Sequence, residues 1–185
     1  RILLALVLAA AFLSTQLSGA AEPRQESPLF SFVQVTDTHL TAGKSAERVR
    51  KAIDDINLLE SQPEFAVVTG DLINGPKPRE STELYKKLFS RLRCPLFSVY
   101  GNHDDREAFR DMLGEFNYAF DLAPYHFIAL DSIDKPAKET YGVRFSSRTV
   151  SWLRKHLQDV DKNRPIIVFA HGAVYRPDSF SDTLP

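Results

Sequence analysis

Phe65-Ala66-Val67-Val68-Thr69-Gly70-Asp71-Leu72-Ile73-Asn74 is an apolar, β-branched run that breaks off at a glycine and a carboxylate. The run reads as a strand, and Gly70 permits a sharp turn out of it that delivers Asp71. Upstream, Phe30, Phe32, Val33 and Val35 mark another strand, and Val49, Ala52, Ile53 and Ile56 recur at helical spacing over residues 46–59. Downstream, Leu84, Leu88 and Leu92 share one face of a helix over 83–92, and 96–100 is a third short strand. Strand, helix, strand, helix, strand implies parallel pairing. Beyond a short helix over 106–113, strands are predicted at 116–120 and 126–130. They should be antiparallel, because their connection is too short for a crossover. A helix over 147–160 follows, with Val150, Leu153, Leu157 and Val160 inward, and a last strand over 165–170 ends at His171.

Composition bounds the function. The 185 residues are 43% apolar and 25% charged, ordinary values for one globular domain. Lys and Arg number 23 against 24 Asp and Glu, so no binding to bulk nucleic acid or to an anionic membrane surface is expected. Any phosphate must be bound locally. Arg1, the apolar run from Ile2 to Leu13 and the small residues Ser18, Gly19, Ala20 and Ala21 read as an export signal over 1–21. The run is shorter than the roughly 18 apolar residues of a membrane span, so no stable anchor is expected. Residues 22–28, with Pro23 and Pro28, read as a linker, leaving 29–185 as the domain. The expected location is the periplasm or the cell exterior. The one cysteine, Cys94, forbids an internal disulfide and reads as a small core residue.

Four polar clusters stand at the ends of four predicted strands: Asp37-Thr38-His39, Gly70-Asp71, Gly101-Asn102-His103-Asp104 and His171. In open sheets the carboxyl ends of parallel strands share one edge, so groups placed there converge in space. Asp37 to Asp71 is 34 residues and Asp71 to Asn102 is 31, close to the ~30 residues of one strand-helix-strand unit. Carboxylate, imidazole and amide oxygen together suit divalent transition ions; the set is too rich in nitrogen for calcium and lacks the thiolates of a structural zinc site. If residues 37–39 are extended, Asp37 and His39 point the same way and grip one ion together.

Taken singly, each cluster has a plainer explanation. Asp-X-His after a strand is commonly turn chemistry, Gly-Asp before a helix is commonly a turn or cap, and a histidine ending an apolar strand is commonly a satisfied core residue. Turn propensity gives no reason for His103, and the order and spacing of all four clusters favour a metal site. His126 and His156 lie outside these clusters and read as structural.

These motifs, Asp37-X-His39, Gly70-Asp71, Gly101-Asn102-His103-Asp104 and Val168-X-X-His171, resemble the successive motifs of the calcineurin-like metallophosphoesterases. Within that family, Gly101 to Arg106 and Leu130-Asp131-Ser132 look most like the class III cyclic-nucleotide phosphodiesterases. The resemblance implies an α/β fold of two packed sheets flanked by helices. It implies two divalent ions, Fe, Mn or Zn, with Asp37 and His39 on the first, Asp71 bridging, and Asn102 and His171 on the second. A hydroxide between ions about 3.5–4 Å apart would attack a small phosphate-ester substrate, with His103 acting on that substrate. The family's Gly-His-X-His motif is absent, since the histidines are His39, His103, His126, His156 and His171. The expectation is a domain incomplete on its carboxyl-terminal side. His171-Gly172-Ala173 stands where relatives commonly have His-His-Pro. Asn74, where purple acid phosphatases carry a ligating tyrosine, argues against that branch. The first reading is a phosphodiesterase, the others a phosphomonoesterase of the same family or an exported scaffold with a degenerate site.

Overall fold

The computed structural model describes residues 4–8, 30–122, 124–133 and 144–172. In chain order the elements are β1 (Leu4–Leu8), β2 (Ser31–Val35), α1 (Lys44–Asn57), β3 (Phe65–Thr69), α2 (Pro78–Phe89), β4 (Leu96–Val99), α3 (Arg106–Met112), β5 (Tyr118–Leu122), β6 (Tyr125–Leu130), α4 (Ser147–His156) and β7 (Ile166–Ala170). One sheet has the order β1-β2-β3-β4 and the other β5-β6-β7. As the alternation of strands and helices requires, β2, β3 and β4 are parallel, with Val35 opposite Val68 and Thr69 opposite Val99. The short β5–β6 connection makes an antiparallel pair, and β7 adds parallel to β6.

Strand periodicity divides the apolar residues between two cores. Phe65 and Val67 of β3 face the second sheet and meet Phe32, Phe127 and Phe169, while Ala66 and Val68 face Val49, Ile53 and Ile56 of α1 and Tyr85 of α2. All five residues of β3 are buried, which is why its sequence is apolar without alternation. The layer between the sheets is largely aromatic: Phe32 stacks on Phe65 with ring centroids 4.9 Å apart, and Phe127 meets Phe65 edge-on at 5.2 Å. Such pairs contribute about 0.5–1.5 kcal/mol each beyond the area they bury. At the margin, Tyr118 reaches from β5 to the free side of β4. Its hydroxyl accepts the Ser98 N–H at 3.1 Å and donates to the Ser98 carbonyl at 3.0 Å.

His126, next to Phe127 on β6, points to the outer face of the second sheet and there meets α4. Its Nδ1 bonds the Asp121 carboxylate, and its Nε2 lies 2.8 Å from His156 Nε2. The rings are head to head, with centroids 5.1 Å apart and planes within 18°, so one nitrogen donates and the other accepts. The bond therefore holds a single shared proton, and the histidines read as structural join sheet to helix. The described layers thus run helix, sheet, sheet, helix, the mixed α/β sandwich expected.

Several element boundaries shift by a few residues from expectation, and three of the shifts have a clear physical reason. Helix α2 starts at Pro78, five residues before the predicted start, because proline at the first helical position is favourable where its missing N–H is not needed. Helix α4 stops at His156 after a basic last turn suited to a helix carboxyl end; within it only Thr149 is buried, and Val150 is 41% exposed. Strand β5 begins at Tyr118 because Phe116 is used elsewhere, packed on Tyr100 and Phe109.

Of the residues read as signal and linker, 1–28, only Leu4–Leu8 is described, and it pairs antiparallel with β2. The rest lie outside the described residues. No helix among the described residues is long and apolar enough to cross a membrane.

Candidate metal centre

The carboxyl ends of β2, β3 and β4 bring the first three polar clusters to one edge, and β7 delivers His171 to the same place. The loops after β2 and β3 run side by side: Asp37 N–H donates to Gly70 O, His39 N–H to Asp71 O at 2.9 Å and Leu40 N–H to Leu72 O at 3.0 Å. Thr38, buried between them, donates its hydroxyl to Leu72 O at 2.6 Å. Among the described residues, the non-glycine positions with positive φ are Asp37 (54°), His39 (41°) and Asp71 (49°). Each costs about 1–3 kcal/mol of strain, a cost that persists where the surrounding structure dictates the conformation. The expectation of an extended 37–39 segment is thereby corrected. The left-handed turns at Asp37 and His39, held by bonds to the neighbouring loop, bring His39 Nε2 to 3.8 Å from Asp37 Oδ1.

Asp71 is buried at the centre. Its Oδ1 accepts the His103 backbone N–H at 2.9 Å and lies 3.3 Å from His171 Nε2. Its Oδ2 lies 3.5 Å from His39 Nε2 and 4.0 Å from His103 Nε2. One carboxylate thus turns its two oxygens toward two sets of imidazoles. Among the described residues, two groups of potential metal donors converge within 4.8 Å, His39 with Asp71 and His103, and Asp37 with Asp71 and His171; Asp71 is common to both. Asn102 joins the second, its Oδ1 lying 3.0 Å from His171 Nε2. This donor set, oxygen and imidazole nitrogen without thiolate, fits divalent transition ions. His39 Nδ1 is buried with no hydrogen-bond partner among the described residues, an orphan at the same position.

Close backbone approach makes two glycines necessary. A Cβ on Gly101 would stand 2.0 Å from Asp71 N, and one on Gly70 would stand 2.4 Å from the His171 ring. Gly70 also has φ +91°, so it supplies the turn expected of it as well as the room for His171. Asp104, in the same motif as His103 but given no role from sequence, is a brace. Its Oδ1 accepts Ile73 N–H at 3.0 Å and its Oδ2 accepts Gly101 N–H at 2.8 Å, joining the loops that carry Asp71 and Asn102. Burial pushes its carboxyl up to about 7, against the pull of those amides.

Burial also works against the charge on Asp71, but the His171 ring and the His103 N–H outweigh it and hold the carboxyl below its usual range. For His171, burial opposes protonation while Asp71 and the Thr69 carbonyl favour it, raising the ring to about 9. Its Nδ1 lies 2.9 Å from Thr69 O and its Nε2 3.0 Å from Asn102 Oδ1, both oxygen acceptors, an arrangement that favours a proton on each ring nitrogen when no ion is bound.

Two outcomes follow. Gly101→Ala should lower metal content and thermal stability together, because the clash is with backbone, whereas Gly114→Ala, with nothing within 4 Å, should leave metal content unchanged. Metal content beside a melting curve checks this. The proton on His171 Nε2 must leave when an ion binds there. Its folded pKa lies above the ordinary histidine value of 6.5, so its contribution to metal-free stability is complete below about 6.5 and lost as pH rises through about 9. Metal uptake should therefore release a proton across that window and tighten as pH rises. Calorimetry in buffers of different ionisation enthalpy measures the release.

The calcineurin-like phosphoesterase family model matches residues 30–184. A probable cyclic nucleotide phosphodiesterase of Rhodopseudomonas palustris is 30% identical over 156 residues, covering 76% of this chain and 56% of the relative. A glycerophosphodiester phosphodiesterase of Enterobacter lignolyticus is 28% identical over 158 residues, covering 80% of this chain and 51% of that one. A probable cyclic nucleotide phosphodiesterase of Rhodococcus erythropolis is 29% identical over 164 residues, with 80% and 54% covered. The chain spans about half the length of the curated relatives it matches. Matched along nearly all of the residues that follow its first strand, the chain belongs to the calcineurin-like phosphoesterase family.

Proposed function

We propose that this chain hydrolyses phosphodiesters with the aid of two divalent transition-metal ions, Fe, Mn or Zn. The observation that carries the reading is Asp71, a buried carboxylate whose two oxygens face separate imidazole groups, as a bridging ligand requires. On this reading, which follows the family resemblance, Asp37 and His39 serve one ion, Asn102 and His171 the other, and Asp71 both; Asp37 lies 3.8 Å from His39 but also converges with Asp71 and His171. The names of the three relatives support the diester class, since cyclic nucleotides and glycerophosphodiesters share a phosphorus with two ester bonds. When bound, the two ions supply a hydroxide nucleophile and stabilise charge in an in-line displacement at phosphorus. The chain's own residues then orient and protonate. The Nδ1–H of His171, held on Thr69 O, fixes the tautomer that turns Nε2 to the ion. The His103 ring, about one-third exposed and edge-on to His39 at 4.7 Å, stands at the mouth of the site, where a leaving alkoxide would take a proton. From the apolar run Ile2 to Leu13 and the small residues Ser18 to Ala21, we further propose that residues 1–21 direct export to the periplasm or beyond, in which case cleavage would remove β1 from the first sheet.

A second reading of His103 has its own observation. Its Nε2 belongs to a convergent donor group with His39 and Asp71, which favours a ligand rather than an acid. Substitution separates the two. As a general acid, His103→Ala should keep both ions and slow turnover by on the order of 10²- to 10⁴-fold, with a smaller defect on a nitrophenyl diester than on an alkyl diester. Loss of an ion, or equal defects on the two esters, would count against the acid.

The reading as a whole is tested by Asp71→Ala. Purified full-length protein supplied with manganese should bind two ions and hydrolyse a nitrophenyl diester faster than the monoester. The variant should lose activity and bound metal at both positions. Two ions retained in Asp71→Ala would remove the bridging role.

A further inference from the structure

At the carboxyl end of β6 the apolar run Phe127-Ile128-Ala129-Leu130 passes directly into Asp131-Ser132-Ile133, and all three of those residues are buried. A carboxylate and a hydroxyl beneath the surface need partners, and these partners are specific. Asp131 Oδ2 accepts from an Arg106 guanidinium nitrogen at 2.7 Å, and the same nitrogen donates to Ile133 O at 2.9 Å. The guanidinium carbon lies 4.6 Å from the centroid of the Tyr100 ring and 4.5 Å from that of Phe116, so it packs against two aromatic rings at once. Asp131 is itself oriented, its Oδ1 accepting Ile133 N–H at 3.0 Å and its N–H donating to Asn117 Oδ1 at 2.8 Å. Ser132 Oγ accepts the backbone N–H of Gly172 at 2.8 Å.

The two partners lie on two different ligand-bearing segments. Arg106 opens α3 immediately after the loop that carries Asn102 and His103, and Gly172 directly follows His171. Those segments come from different sheets, through β4 and β7. They meet where Asn102 Oδ1 lies 3.0 Å from His171 Nε2. We propose that Asp131 and Ser132 are positioning residues: together they form a bracket at the end of β6 that sets the spacing of Asn102 and His171, and so the affinity of the position those two residues define. The inference rests on the dimetal reading given above. Neither side chain contributes a donor to either convergent group. Each acts through a neighbour, Asp131 through Arg106 and Ser132 through the backbone after His171.

The experiment is manganese binding by calorimetry, run beside thermal melting and turnover, on wild type, Ser132→Ala, Asp131→Asn and Arg106→Lys. Groups that orient ligands typically matter by 10- to 100-fold in metal affinity. One of the two manganese dissociation constants should therefore rise by about that factor in both Ser132→Ala and Asp131→Asn while the other holds, with turnover largely recovered at excess manganese. Arg106→Lys should follow Asp131→Asn, since lysine keeps the charge but loses the planar stack. Val49→Ala, in the core on the far side of the first sheet, controls for general loosening. It should lower the melting temperature and leave both dissociation constants where they were. Wild-type affinity in both Ser132→Ala and Asp131→Asn would overturn the bracket alone, as would an equal loss of affinity in Val49→Ala. Failure of the wild type to bind manganese would overturn the dimetal reading and the bracket with it.

Discussion

The Asp71 carboxylate is the fixed point around which this edge of the molecule is arranged. A buried negative charge is costly unless it is compensated, and here compensation comes from every segment that reaches it: an N–H from the β4 loop, an imidazole from β7 and another from the β2 loop. The demand reaches the backbone. Asp71 adopts a left-handed conformation, Gly70 before it turns the chain sharply, and Gly101 gives up a side chain so that the neighbouring loop can lie against the Asp71 amide. Asp104 then fastens the two loops from beneath. Strain, bare backbone and a braced carboxylate at one place describe a site held in its geometry before any ion or substrate arrives.

Much of this was legible from the chain. Strand period and spacing gave the parallel β2-β3-β4 arrangement, and the placement of polar residues just past strand ends gave the convergence of Asp37, His39, Asp71, Asn102, His103 and His171. What escaped has a common physical cause, dependence on contacts remote in sequence. The turns at Asp37 and His39 exist because the β3 loop supplies their backbone partners, and no local pattern announces that. Asp104 looks like a turn residue until two amides from separate loops are seen on its carboxylate. The inward face predicted for α4 is only half-buried at Leu153, Leu157 and Val160 and exposed at Val150, and the helix meets β6 through a polar contact, His156 on His126, that an apolar stripe does not announce. Pro78 was the missed local signal, since proline opening a helix is readable from sequence.

The two sheets contribute unequally to the site. The first supplies three of the four polar clusters from consecutive parallel strands, so their mutual placement follows from strand register together with the bonds between their loops. The second supplies His171 from β7, across an interface of stacked phenylalanines that resists compression but carries little direction along the strands. Register cannot align strands that share no hydrogen bonds. Polar contacts at the end of β6 and the glycine at position 70, cut to fit the His171 ring, are what give that alignment a definite value.

The Tyr118 hydroxyl on Ser98 has a consequence for how this molecule meets others. An exposed strand edge is a template for strands of another chain. At β4 that template is occupied at its middle by a phenol that takes both the outward N–H and the outward carbonyl of one residue. A foreign strand would have to evict Tyr118 and separate the Phe97–Phe120 stack beside it, whose centroids are 3.6 Å apart, before pairing with a four-residue edge. Tyr118 thereby guards this edge of the first sheet against pairing with a foreign strand.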